Sequence, residues 1–223
     1  MPRFIQKKLT GALVSDHVIP VGFDYGMEFA ARFVDEVKFV KKSSLKTFVR
    51  KVPVDALFGQ DHEVKKIADE FRIPFIPFDY GNRIGKFNEN RKYDDPCETT
   101  RVLIMGCEST GKSEMVQHLA EHFGGYFTEE YARTYFHFYG DQGTIQDIPK
   151  TALGQIATEK AYMGTQYPPF LFCDTDLLLT SIWSQILFGN CPDWILEKAY
   201  HQKADLTLLL NIDLPWIPDP QRC

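Results

Sequence analysis

Between residues 106 and 113 the chain reads Gly-Cys-Glu-Ser-Thr-Gly-Lys-Ser, with four residues between the glycines and a lysine and hydroxyl directly after the second. Those types at that spacing make a phosphate-binding loop. Gly106 and Gly111 permit a tight turn, so the amides of Glu108, Ser109 and Thr110 can point at phosphate oxygens. Lys112 is placed to reach the β- and γ-phosphates of ATP, and the Ser113 hydroxyl to ligate Mg²⁺. The alternative is a glycine-rich turn that binds nothing. The flanking elements argue against it: Val102 to Met105 is an unbroken apolar run, and Met115, Val116, Leu119, Ala120 and Phe123 form one helical stripe stopped by Gly124-Gly125.

A second chemical feature lies downstream. Phe170-Leu171-Phe172-Cys173 is an apolar strand that runs into Asp174-Thr175-Asp176. A carboxylate at such a strand end can meet Mg²⁺ or its water, or simply cap the next helix. The phosphate loop upstream favours the first role for Asp174. The third feature is Glu129-Glu130-Tyr131-Ala132-Arg133, after a plausible strand at Tyr126–Thr128. Carboxylates and an arginine there suit a ligand at the C-terminal edge of a parallel sheet, and equally suit the solvated start of a helix.

These residues need a sheet to bring them together. After residue 100 the pattern predicts strands at Val102–Met105, Tyr126–Thr128, Phe170–Cys173 and Leu206–Ile212, the last read as buried. Helices are predicted over Thr151–Met163, Thr180–Phe188 (mostly core) and Asp193–Tyr200. Before it, Leu9–Val14, Val37–Val40 and Asp55–Phe58 read as strands, and Met27, Ala30, Ala31 and Val34 fall at helical spacing. Asp61 is placed to cap a helix with inner residues Val64, Ile67, Ala68 and Phe71. Two prolines make Ile73–Phe78 an edge strand or an extended segment. The expectation is an α/β chain in two domains, 1–83 and 101–223, joined by a polar linker at 84–100.

Composition narrows the class. The chain has 223 residues, 44% of them hydrophobic, and a formal net charge of −5. That balance argues against a broad nucleic-acid or membrane footprint. No apolar run approaches a membrane span and no signal peptide opens the chain. Cysteines at 97, 107, 173, 191 and 223 are odd in number and show no metal-binding spacing. With Cys107 and Cys173 expected to be buried, reduced thiols in a cytoplasmic protein are predicted.

The motifs taken together resemble a known family. GCESTGKS, EEYAR at 129–133, DTD at 174–176, SIWSQILFG at 181–189 and DLPWIPDPQR at 213–222 resemble the ribosylnicotinamide kinase domain of NadR-type proteins. In that family a P-loop kinase follows an adenylyltransferase domain. The resemblance implies ATP and Mg²⁺ as cofactors and nicotinamide riboside as the acceptor; no nucleic-acid or membrane partner is expected, on the charge balance above. It makes Glu130, Tyr131, Arg133 and Asp176 candidates for the riboside pocket and Trp216 for its neighbourhood. Asp174 would orient or deprotonate the acceptor hydroxyl, and Arg222, at the start of a lid, would neutralise charge on the transferring group. The N-terminal part is similar to a degenerate adenylyltransferase. Phe33–Val37 resembles a segment of it, but Pro20–Gly26 stands where H-x-G-H is expected, and no S-x-T-x-x-R occurs near 83–91. Loss of adenylyl transfer is therefore expected. The family also continues beyond the match to Asp219–Arg222, so a fragment, or a sheet completed in another way, is expected. A kinase for another nucleoside or small metabolite, and a non-catalytic nucleotide-binding remnant, remain the alternatives.

Overall fold

A computed structural model describes residues 10–14, 29–78, 99–140, 143–166 and 168–216. The chain divides into two compact units, Met1–Asp79 and Tyr80–Cys223. Among the described residues, no helix is long and apolar enough to cross a membrane.

The first unit is built on strands β1 (Thr10–Val14), β2 (Glu36–Val40), β3 (Ala56–Gly59) and β4 (Phe75–Pro77), in the order β2-β1-β3-β4. All three pairings are parallel. Helix α1 (Leu45–Lys51), unmarked by any strong periodicity, lies between β2 and β3 in the chain. Helix α2 (His62–Phe71) is capped by Asp61, which accepts from the Val64 amide at 2.9 Å. The two prolines fit the outcome for Ile73–Phe78, since β4 is the edge strand. Of the expected helix around Met27–Val34, the described residues show helix at Phe29–Ala30 followed by a turn; Met27 lies outside the described residues. Phe29, Phe58 and Phe78 fill the core. A Cβ on Gly11 would stand 2.6 Å from the Phe58 ring, so only glycine allows this packing.

The second unit has strands β5 (Thr100–Met105), β6 (Tyr126–Thr128), β7 (Phe170–Asp174) and β8 (Leu206–Leu209), in the order β6-β7-β5-β8 and again parallel throughout. Side chains alternate across the sheet. Val102, Ile104, Phe127 and Phe172 pack under Val116 and Ala120 of α3 (Lys112–Phe123). Arg101, Tyr126 and Cys173 are directed to the other face, where Tyr126 stacks on Tyr162 of α5 (Ile148–Gln166). Helix α4 (Tyr131–Tyr139) lies close against α5: a Cβ on Gly154 would overlap the Tyr131 ring. Helices α6 (Leu177–Phe188) and α7 (Asp193–His201) share a core with α5 through Ile156, Leu177, Cys191 and Ile195.

Register is pinned the same way in both units. An aspartate just before a strand accepts from the first turn of the neighbouring central strand. Asp55 takes the Thr10 amide at 2.9 Å and returns its own N–H to the Thr10 carbonyl at 2.7 Å. Asp205 takes the Arg101 amide at 2.7 Å and gives its N–H back at 2.9 Å. Each strand thus starts from a reciprocal pair that slippage would break.

Four expectations are corrected. The run Leu206–Ile212 is not a buried strand: β8 stops at Leu209 and lies at the sheet edge, where Leu208 and Leu210 pack inward while Leu209 is 78% exposed. Helix α6 is not mostly core, because it buries Leu177, Ser181 and Ser184 and leaves Leu178, Ile182, Ile186 and Leu187 exposed. In α3 the buried positions are only Val116 and Ala120; Met115 and Phe123 are exposed. Cys107 is exposed, since the loop lifts it off the strand end.

The turn before α5 hangs on Asp147. Its carboxylate accepts from Tyr135 Oη at 2.8 Å, Thr144 N at 3.0 Å, Thr144 Oγ1 at 2.7 Å and Lys150 Nζ at 2.8 Å. Burial alone would raise its pKa, but these donors outweigh burial and hold it well below the usual carboxylate range. A depressed folded-state pKa contributes stability that is complete above the unfolded value of about 3.9 and is lost as pH falls through the folded one. Asp147→Asn is expected to cost about 1–3 kcal/mol at pH 7. In urea titrations from pH 7 to pH 3, the gap between parent and variant should narrow only below about pH 4.

Candidate functional site

Strand β5 delivers the chain to the phosphate loop and α3 carries it away. At Gly106 a Cβ would lie 2.7 Å from Thr110 Oγ1, so the turn has room only for glycine. Ser109 and Gly111 adopt positive φ, 60° and 81°, and Gly111 is the N-cap of α3. The loop closes on itself: Thr110 Oγ1 and Lys112 Nζ both donate to the Cys107 carbonyl at 2.8 Å. An ammonium folded over the loop mouth, beside a helix N-terminus, is the electrostatic setting a phosphate requires.

Strand β7 brings the acid. Register pairs Ile104 with Asp174, so Asp174 ends its strand beside the start of the loop. It is 1% exposed, and its Oδ2 accepts from Ser113 Oγ at 2.5 Å. A hydroxyl and a carboxylate are hard oxygen donors of the kind Mg²⁺ takes, so the pair fits that ion chemically.

The next residue turns the chain sharply. Thr175 has φ 68°, a left-handed conformation that is rare for a β-branched side chain and costs about 1–2 kcal/mol. Its amide reaches the Ile104 carbonyl at 3.4 Å. Beyond it Asp176 turns away from the loop. Its Oδ1 accepts from the Leu178 and Leu179 amides at 2.8 and 3.4 Å, capping α6, and its Oδ2 stands 3.7 Å from Arg101. At 3% exposure Asp176 is buried and caps α6.

Beneath the bend lies a polar network the motifs did not reveal. Arg101 Nε donates to Glu159 Oε2 at 2.9 Å, and Gln202 Nε2 donates to the same oxygen at 2.8 Å. Gln155 Nε2 donates to Glu159 Oε1 at 3.3 Å, and its own oxygen accepts the Tyr131 amide at 2.9 Å. Burial opposes the Arg101 charge, but Glu159 and Asp176 outweigh it and keep the guanidinium protonated. Burial pushes the Glu159 carboxyl up, with Arg101 pulling it back. A signal for this network was present in the sequence. Arg101 directly precedes an apolar run, and at helical spacing Glu159 is flanked by Ala152, Ile156, Tyr162 and Met163, a stripe on which an exposed acid would be out of place.

The remaining candidates are spread. Glu130 is the N-cap residue of α4 and lies 3.6 Å from Arg133 Nε, both partly exposed at the C-terminal end of β6. Tyr131 is buried, its ring against Gly154, because α4 and α5 meet there. Trp216 is 60% exposed. The chain leading to it passes the loop, since a Cβ on Gly111 would sit 3.4 Å from Leu214 Cδ1. Arg222 lies outside the described residues, as do Pro20–Gly26 and most of 84–100.

A family model described as an AAA domain matches residues 101–223. The chain belongs to that family. Among curated relatives, the trifunctional NAD biosynthesis/regulator protein NadR of Salmonella typhimurium is 32% identical over 126 residues. NadR of Escherichia coli gives the same identity over the same length. In each case the match takes in 54% of this chain but only 30% of the relative. Two solved structures align with the chain at low identity. One is a NadR protein in complex with NR, at 14% identity and TM-score 0.46, covering 91% of this chain and 80% of its own. The other is a NadR protein in complex with NAD and AMP-PNP, at 16% identity and TM-score 0.44, covering 91% and 81%. Strand order and register place the phosphate loop of this unit on the central strand pair of a parallel sheet, with Asp174 at its side.

Lys112→Ala removes the ammonium from the loop mouth. Charge-assisted contacts are worth roughly 1.5–3 kcal/mol, so ATP affinity measured by calorimetry is expected to fall at least about tenfold. Unchanged affinity in a folded variant would refute phosphate binding at this loop.

Proposed function

We propose that the second unit transfers the γ-phosphoryl group of ATP to the 5′-hydroxyl of nicotinamide riboside, giving nicotinamide mononucleotide and ADP. The observation that carries the reading is the Ser113–Asp174 hydrogen bond. It sets a loop hydroxyl and a strand-end carboxylate together at the C-terminal edge of the sheet. The NadR relatives, named for NAD biosynthesis, support a substrate in NAD metabolism, and the choice of the riboside rests on the motif resemblance.

In this reading the loop amides and Lys112 hold the phosphates, and Lys112 exchanges its bond to the Cys107 carbonyl for one to phosphate oxygen. Ser113 and Asp174 would hold Mg²⁺, which when bound neutralises charge on the β- and γ-phosphate oxygens. Asp174 orients the acceptor hydroxyl and accepts its proton. The acceptor oxygen bonds to the γ-phosphorus, the bond from that phosphorus to the β–γ bridging oxygen breaks, and ADP leaves with the electron pair. Glu130 and Arg133, at the end of β6, are the polar groups proposed for the riboside, and Arg222 is proposed to act on the transferring group. With Asp176 and Tyr131 buried, their contribution to a pocket is to hold its floor.

Chromatography of reactions with ATP, Mg²⁺ and a panel of ribosides tests the proposal. Nicotinamide mononucleotide and ADP should form in equal amounts. Asp174→Asn should lower kcat by at least about a hundredfold while changing ATP affinity far less. Phosphorylation of a different nucleoside would overturn the substrate, and ATP binding without turnover of any riboside would overturn the kinase.

The first unit is proposed to lack adenylyl transfer, because neither H-x-G-H nor S-x-T-x-x-R is present to stabilise the developing charge. Nicotinamide mononucleotide, ATP and Mg²⁺ should yield no dinucleotide above background. Protein-dependent NAD formation would contradict this.

A further inference from the structure

We propose that Arg101 is a positioning residue for phosphoryl transfer: through Asp176 it holds the left-handed bend at Thr175 that keeps Asp174 aimed at Ser113. The proposal rests on the functional reading above for its kinetic consequence, and on the geometry alone for its structural one.

Three consecutive residues carry the argument. Asp174 faces the phosphate loop and Asp176 faces the opposite side of the sheet, where Arg101 and Glu159 lie. The reversal between them is made at Thr175, whose φ of 68° a threonine does not adopt unless its surroundings impose it. On the C-terminal side the restraint is Asp176. It is fastened by the Leu178 and Leu179 amides on one oxygen and faces the Arg101 guanidinium on the other. Arg101 is itself fixed, being almost wholly buried, with Nε bonded to Glu159 and its backbone locked to Asp205. Glu159 in turn is held by Gln155 and Gln202. The chain of contacts therefore runs from α5 and the segment after α7, through one guanidinium, to the bend beside the site.

Removing the guanidinium has a definite consequence. Glu159 and Asp176 would then face each other as buried carboxylates without a cation between them. Asp176 then has no cation opposite its Oδ2, and the position that opposes the strain at Thr175 is no longer held. Once that restraint is gone, the bend relaxes and Asp174 loses its aim. A core ion pair that only adds stability would lack this link, and glycine at position 175 distinguishes the two cases. Glycine adopts the left-handed conformation without strain, so the bend would no longer need Arg101.

The test uses Arg101→Met, the paired Arg101→Met/Glu159→Gln, which removes the Glu159 charge as well if the single variant does not fold and leaves Asp176 with only its two amide donors, and each of these combined with Thr175→Gly. Two readouts are taken: amide hydrogen exchange over residues 174–180, and steady-state kinetics with ATP and riboside. Without Arg101, exchange in that segment should rise at least about tenfold relative to α3, and kcat should fall at least about tenfold with ATP affinity little changed. Adding Thr175→Gly should recover most of both losses. Unaltered exchange, unaltered kcat in a destabilised variant, or no recovery with glycine would each overturn the proposal. A parent protein that never phosphorylates the riboside would defeat the functional reading instead, and exchange would still decide whether Arg101 holds the bend.

Discussion

Ser113 and Asp174 lie 61 positions apart in the chain and meet through one hydrogen bond. That meeting depends on a parallel pairing of β5 with β7, because only parallel neighbours bring two C-terminal strand ends to the same edge. The glycine loop starts from one end and the buried carboxylate finishes the other. Much of the second unit serves this edge. Helix α3 starts there, α5 packs beneath it, and Asp205 fixes the strand on the far side of β5.

The cost of the arrangement falls on Thr175 and on the buried charges below it. A left-handed threonine and a desolvated Arg–Glu pair are both unfavourable taken alone. Removing one member of such a pair typically costs about 3–5 kcal/mol, whereas replacing the whole pair by apolar groups is often neutral. Strain and buried charge so close to a bend that aims a carboxylate are more readily understood as specifying a geometry than as adding stability.

The parts of this site that were legible in the sequence were the local ones. Glycine spacing, the apolar run before it and the stripe after it lie within 24 residues, and each is set by short-range sterics. Prolines 74 and 77 marked an edge strand, and Asp61 marked a helix start, for equally local reasons. What could not be read was which side of an apolar element would be covered. Leu206–Ile212 looks like a buried strand, yet Leu209 is exposed, because it lies on the face of β8 opposite Leu208, which the described residues do not cover. Helix α6 is apolar on a face that is exposed and buries two serines instead. Asp176 and Tyr131 became pocket candidates through the family resemblance, which says nothing about how deeply they lie. The cap on α6 and the close approach at Gly154, both tertiary facts, bury them.

The central claim is that Ser113 and Asp174 form one Mg²⁺-dependent nucleotide centre. Calorimetric titration of the protein with ATP, in Mg²⁺ and in excess chelator, tests it most directly. The account predicts that Mg²⁺ tightens binding by at least about tenfold in the parent and that this gain disappears in Ser113→Ala, with the metal-free affinity little altered. Equal affinities with and without Mg²⁺ in the parent, or a full Mg²⁺ gain retained in the variant, would contradict it.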